Sequence, residues 1–152
     1  MIALADADAT ARVGTALAAL VRGGDAVALV GDLGAGKTTL VAGLARALGA
    51  PGAHSPTFAL VHEYPGRLIV WHVDLYRIER AAELRELGLD ELFGDPRGVV
   101  IVEWADRWDV VAADHLRIEL THEAGGRALA LSGAGPRGEQ LARLLLEEVA
   151  RW

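Results

Sequence analysis

No cysteine occurs among the 152 residues, so disulfides, thiolate metal ligands and a cysteine nucleophile are all excluded. Such a chain suits a reducing compartment, and the cytoplasm is the expected location. No uninterrupted apolar run approaches the ~20 residues that a membrane helix needs. Residues 1–10 are rich in alternating Ala and Asp and lack the basic and apolar stretches of an export signal. Neither membrane attachment nor export is therefore expected. Positive charge is short as well. The formal net charge is -6, whereas a protein that grips a phosphate backbone by itself needs a basic face. Any nucleic acid is expected to be held by a partner. At 52% hydrophobic, the chain suffices for one domain with a substantial core and is too short for two ordinary ones.

Lysine is almost missing too. Lys37 stands alone beside many arginines. It lies within Gly31-Asp32-Leu33-Gly34-Ala35-Gly36-Lys37-Thr38, the G-x-x-x-x-G-K-[ST] pattern of a phosphate-binding loop. Codon bias accounts for a general preference for arginine. A lone lysine surviving that bias marks a position where arginine does not serve. A slim ammonium threads between phosphate oxygens beneath a tight backbone loop, while a planar guanidinium fork is too wide.

The flanking sequence supplies the context this loop requires. From Thr10, Val13, Ala16, Leu17, Leu20 and Val21 recur at helical spacing, and Gly23-Gly24 ends the pattern. Ala26-Val27-Ala28-Leu29-Val30 reads as a strand buried on both faces. A helix follows from about Lys37, with Leu40, Val41, Leu44 and Leu48 inward and Gly49 as its cap. Further strands are expected at 58–64, 68–73 and 98–102, with a helix over 81–93 that buries Leu84, Leu87 and Leu92. Leu116, Ile118 and Leu120 alternate with Arg117 and Glu119, a half-buried strand. Gly125-Gly126 then turns the chain back into 127–131. A last helix gathers Leu141, Leu144, Leu145 and Val149 on one side. The expected architecture is α/β and P-loop NTPase-like: a mostly parallel central sheet flanked by helices, ending in an antiparallel hairpin.

In such a loop, backbone N–H groups wrap phosphate oxygens and the following helix adds its positive end. Glycine lets the backbone approach and turn. Lys37 is expected to bridge the terminal phosphates and the Thr38 hydroxyl to ligate Mg²⁺. Asp74 and Glu103 each follow an apolar run directly, where α/β sheets present ligands. A carboxylate there orients Mg²⁺ or polarises water; the alternative is that each merely caps a turn. Ser55-Pro56-Thr57 reads first as an ordinary turn, with γ-phosphate sensing as the other reading. Trp104 is read as packing or as a stacking surface. His54, His62 and His72 lack metal-ligand spacing and are left as structural or surface residues.

Four segments together carry a resemblance. They are Gly31 to Thr39, Ser55-Pro56-Thr57-Phe58, His72-Val73-Asp74-Leu75-Tyr76-Arg77 and Val102-Glu103-Trp104. In this order and spacing the chain resembles the TsaE family, formerly YjeE, small ATPases of bacterial tRNA threonylcarbamoyladenosine synthesis. The resemblance spans nearly the whole chain from Thr10. It implies binding of ATP and Mg²⁺, with slow hydrolysis by the isolated protein. It also implies two paralogous partners, TsaD and TsaB, that transfer the threonylcarbamoyl group to the adenosine beside the anticodon, with hydrolysis resetting the assembly between rounds. By motif match, Gly31, Asp32, Leu33, Gly34, Ala35, Gly36, Lys37, Thr38 and Thr39 cradle the nucleotide. Thr38 and Glu103 hold Mg²⁺, Asp74 is the second carboxylate near metal and water, and Thr10 and Gly126-Arg127 lie near the nucleotide. From the residues alone, Thr10 is otherwise a helix cap and Arg127 a surface charge.

Two other classes share the loop. A small kinase usually needs an arginine-rich lid, for which Arg77, Arg80 and Arg85 are the nearest candidates. A nucleotide-gated binding module would hydrolyse only incidentally. ATP is expected over GTP, because the Asn/Thr-Lys-x-Asp guanine reader is impossible in a chain whose lone lysine is Lys37.

Overall fold

A computed structural model describes residues 1–32, 34–50, 61–105 and 111–152. Leu33, His54, the Ser55-Pro56-Thr57 segment and the first part of the strand expected at 58–64 lie outside the described residues. Seven strands form one sheet: β1 (Ile2–Leu4), β2 (Ala26–Gly31), β3 (Val61–Tyr64), β4 (Ile69–Asp74), β5 (Gly98–Glu103), β6 (His115–Glu123) and β7 (Gly126–Ala134). Their spatial order is β1-β7-β6-β2-β5-β4-β3. The centre, β6-β2-β5-β4, is parallel. Antiparallel β3 closes one side, and antiparallel β7 and β1 close the other. The mostly parallel sheet and the late hairpin agree with the sequence reading.

β2 is central because all five residues from Ala26 to Val30 are apolar, and each is buried between neighbouring strands and helices. Alternation along the strands sorts two cores. Val27, Leu29, Val70, Val99 and Ile101 belong to the larger, shared with α1 (Ala7–Ala18), α2 (Lys37–Ala47) and α5 (Gly135–Val149). Ala28, Val30, Val73, Val100 and Val102 belong to the smaller, covered by α3 (Ala81–Glu86) and α4 (Leu89–Leu92).

α1 and α2 cross in close contact at glycines. A Cβ added at Gly14 would collide with the Leu40 carbonyl oxygen, and one at Gly43 with that of Ala11. α2 ends as the sequence suggests. Gly49, at φ +84°, donates to Arg46 O (3.0 Å) while Ala50 donates to Ala45 O (2.8 Å), the paired bonds of a Schellman cap. α5 borrows its cap: Asp114, before β6, accepts from Gly138 N (2.6 Å) and Arg137 N (3.2 Å).

Several expectations need correction. α1 begins at Ala7 rather than Thr10. Asp6 is its cap, accepting from Ala9 N (2.9 Å), so Thr10 is an interior helical residue, not the cap. The helix expected over 81–93 is two short pieces, divided at Gly88, whose φ of +66° an L-residue adopts only with strain. Leu84, Leu87 and Leu92 are only partly buried, and Leu89 is the buried one. β1 was not anticipated. Among the described residues no helix is long and apolar enough to cross a membrane.

Candidate functional site

The loop between β2 and α2 is held from within and from outside. Ala35 N donates to Asp32 O (3.0 Å), closing a turn. Gly36 precedes α2 at φ +107°, and a Cβ there would sit 3.1 Å from Thr10 Cγ2. Thr10 is only 1% exposed and its hydroxyl donates to Asp6 O (3.3 Å), so a residue of α1 props the loop. On the other side Arg127, near the start of β7, donates Nε to Ala35 O (3.1 Å) and a terminal nitrogen to Gly34 O (3.2 Å). Arg127 is therefore a brace for the loop, not simply a surface charge.

Lys37 is buried, and its Nζ donates to Gly31 O and to Asp32 O (3.2 Å). Four loop carbonyls are thus turned onto two cations. Because C=O and the following N–H point oppositely in a planar trans peptide, the Gly36 N–H points away from Arg127. An amide turned this way at the start of a helix suits an anion. The same ammonium lies 3.7 Å from the centroid of the Trp104 ring, a cation–π contact. Trp104 is the one non-glycine with positive φ among the described residues, at +60°, and it also meets the Tyr76 ring with centroids 4.9 Å apart. So bulky a residue in the left-handed region is held by its surroundings.

Asp74 and Glu103 end the adjacent parallel strands β4 and β5 and are paired in register. Both line a cavity of about 240 Å³ together with Gly36, Lys37, Thr38 and Thr39. Asp74 also accepts from Tyr76 N (2.9 Å), so it caps a turn and faces the cavity at once. Burial raises its pKa above the ordinary carboxylate value, the Tyr76 bond opposes this, and the nearby Glu103 charge adds to the rise.

Glu103 is 3% exposed, with Oε2 2.5 Å from Nε2 of His72. His72 is fully buried, and its Nδ1 lies 3.3 Å from the Tyr64 hydroxyl. Sequence reasoning passed over His72 because it looked for metal-ligand spacing. The missed signal was period two: His72 and Asp74, two residues apart on one strand, share a face of the sheet.

No group of three or more His, Cys, Asp or Glu side chains capable of holding a metal occurs among the described residues. The side chains lining the cavity include two carboxylates and the Thr38 hydroxyl. Such a set, completed by ligand oxygens and water, fits a hard cation such as Mg²⁺ better than a soft metal. Arg77, Arg80 and Arg85 do not line the cavity. A larger cavity, about 660 Å³ between α4 and residues 111–113, shares no residue with it.

Residues 4–129 match the model of the family described as "Threonylcarbamoyl adenosine biosynthesis protein TsaE". The tRNA threonylcarbamoyladenosine biosynthesis protein TsaE of Bacillus subtilis is 39% identical over 139 residues, which is 88% of this chain and 83% of that protein. Its counterpart from Streptomyces coelicolor is 39% identical over 137 residues, covering 82% and 90% respectively. The crystal structure of YdiB from Bacillus subtilis superposes with a TM-score of 0.74 at 32% identity, covering 96% of this chain and 90% of that one. The family match covers most of the chain and the fold agrees, so this chain belongs to the TsaE family of tRNA threonylcarbamoyladenosine biosynthesis.

Proposed function

We propose that this chain binds ATP with Mg²⁺ and hydrolyses it as the nucleotide-driven subunit of tRNA threonylcarbamoyladenosine synthesis. The observation that carries this reading is the convergence of Asp74 and Glu103, in register at neighbouring strand ends, on the cavity lined by Gly36, Lys37 and Thr38. The loop amides and the Lys37 ammonium would bind the phosphates, the lysine exchanging its hold on Gly31 and Asp32 carbonyls for phosphate oxygens. Thr38, Glu103 and Asp74 are the residues that would hold Mg²⁺, directly or through water. Bound there, the ion offsets negative charge on the phosphate oxygens. Asp74, half-buried at the cavity wall with its pKa raised by burial, would orient a water there. Thr10 and Arg127 keep the loop in shape.

The proposed partners are a TsaD-like and a TsaB-like protein. A net charge of -6 supports tRNA being held mainly by them. ATP and tRNA make the cytoplasm the proposed setting. The test is phosphate release from ATP and Mg²⁺, measured alone and with the two partner proteins. Asp74→Ala is expected to lose about 10²–10³-fold in rate. An unchanged rate, or steady transfer of labelled phosphate to a hydroxyl acceptor, would overturn the hydrolase reading.

A further inference from the structure

The structure assigns His72 as a positioning residue that, fixed by Tyr64, holds the Glu103 carboxylate in place for a divalent cation. The inference rests on the Mg²⁺–nucleotide reading of the site. It starts from an energetic problem. Glu103 is almost wholly removed from water, and a buried carboxylate persists only with hydrogen-bond donors or opposite charge beside it. The His72 ring, at 2.5 Å, is the side chain that hydrogen-bonds it. That ring has no access to solvent of its own.

The chain of contacts has a direction. An ionised carboxylate only accepts, so His72 must present Nε2–H to Glu103 Oε2. In the neutral ring Nδ1 then accepts from the Tyr64 hydroxyl, 3.3 Å away, which holds the ring in this orientation. With Oε2 committed to His72, Oε1 is the oxygen left for a cation. Strand register aligns the three groups. Tyr64 pairs with Val70 on β4, and His72 and Asp74 follow Val70 at two-residue steps on the same face. Glu103 pairs with Asp74. The edge strand β3 therefore reaches the cavity through two side chains without lining it.

Calorimetric titration of ADP, with Mg²⁺ and with chelator, separates positioning from packing. Wild-type protein, His72→Leu, His72→Gln and Tyr64→Phe would be compared, with melting temperatures in parallel. His72→Leu is expected to raise the Mg²⁺ concentration for half-maximal strengthening by about 10–100-fold, with ADP affinity in chelator preserved. Gln retains an N–H donor near the Nε2 position and should recover much of the loss. Tyr64→Phe, which keeps the ring volume should His72→Leu fail to fold, is expected to weaken the Mg²⁺ response by about 2–10-fold. Equal loss with and without metal would reduce His72 to packing, and an unchanged Mg²⁺ response would remove it from the site; either overturns the inference while the nucleotide reading stands. No Mg²⁺ effect on wild-type binding would defeat both.

Discussion

Gly43→Ala probes whether the glycine-rich loop, and the nucleotide binding proposed for it, depend on how closely two helices cross. The added methyl would point at α1, colliding with Ala11 O and lying 3.0 Å from the Ala11 carbonyl carbon. Both are backbone atoms, so no rotamer change relieves the contact. Normal carbon contacts are about 3.5–4.0 Å, so the helices must part by something on the order of an ångström. Overpacking of this kind costs about 1–3 kcal/mol. Alanine returns up to about 1 kcal/mol through its better helix propensity. The net expectation is a loss of about 1–2 kcal/mol, or a melting temperature lower by roughly 2–8 °C for a chain of this length. Because α1 also carries Thr10, which abuts Gly36, nucleotide affinity should fall as well. Gly49→Ala is the control. Its φ of +84° strains an alanine, but a Cβ there meets nothing within 4 Å, so it should lower the melting temperature and spare nucleotide binding. Differential scanning calorimetry and nucleotide titration read both quantities. Gly43→Ala with wild-type melting and wild-type affinity would refute the reasoning.

The charged groups of the site give three further expectations. Lys37→Arg should lose most ATP affinity, because a guanidinium does not fit the space that an ammonium shares with two loop carbonyls; equal affinity in a direct titration would contradict this. Arg127→Ala removes two charge-assisted bonds to the loop and should weaken nucleotide binding by roughly 10–100-fold, with little change if the brace is idle. Asp74 has a raised folded-state pKa, so the stability linked to its protonated form is full below the ordinary carboxylate range and is lost as pH rises through the folded value. Asp74→Asn should therefore gain melting temperature relative to wild type as pH rises from acid to neutral. A difference independent of pH would rule this out.

The loop and its neighbours were legible because the signals are local. An all-apolar β2, a glycine pattern and a periodic α2 are adjacent in sequence, and strand ends at Asp74 and Glu103 follow apolar runs. What escaped depends on distant partners. β1 is three residues long and makes sense only against β7, where Leu4 pairs with Arg127. Asp6 and Thr10 are both good caps by type, and only packing against Gly36 decides that Thr10 goes inside. Gly88 was absorbed into an amphipathic pattern that its positive φ interrupts. Trp104 reads in the sequence as packing or as a surface for a base or partner; in the fold it packs against the chain's own Lys37 and Tyr76. His72 was passed over because its partners, Glu103 and Tyr64, arrive on other strands.

Arg127 reaches back across 92 residues of chain to Ala35, and this distance has a consequence for how the protein is made. During synthesis the glycine loop emerges long before the hairpin that will brace it. Contacts this far apart in sequence form late, after shorter-range structure is in place. A nascent or truncated chain ending before β7 would carry the loop sequence without its brace. A ligand site that rests on this brace would mature only once β7 has been made and paired, so its competence would report on the closed sheet.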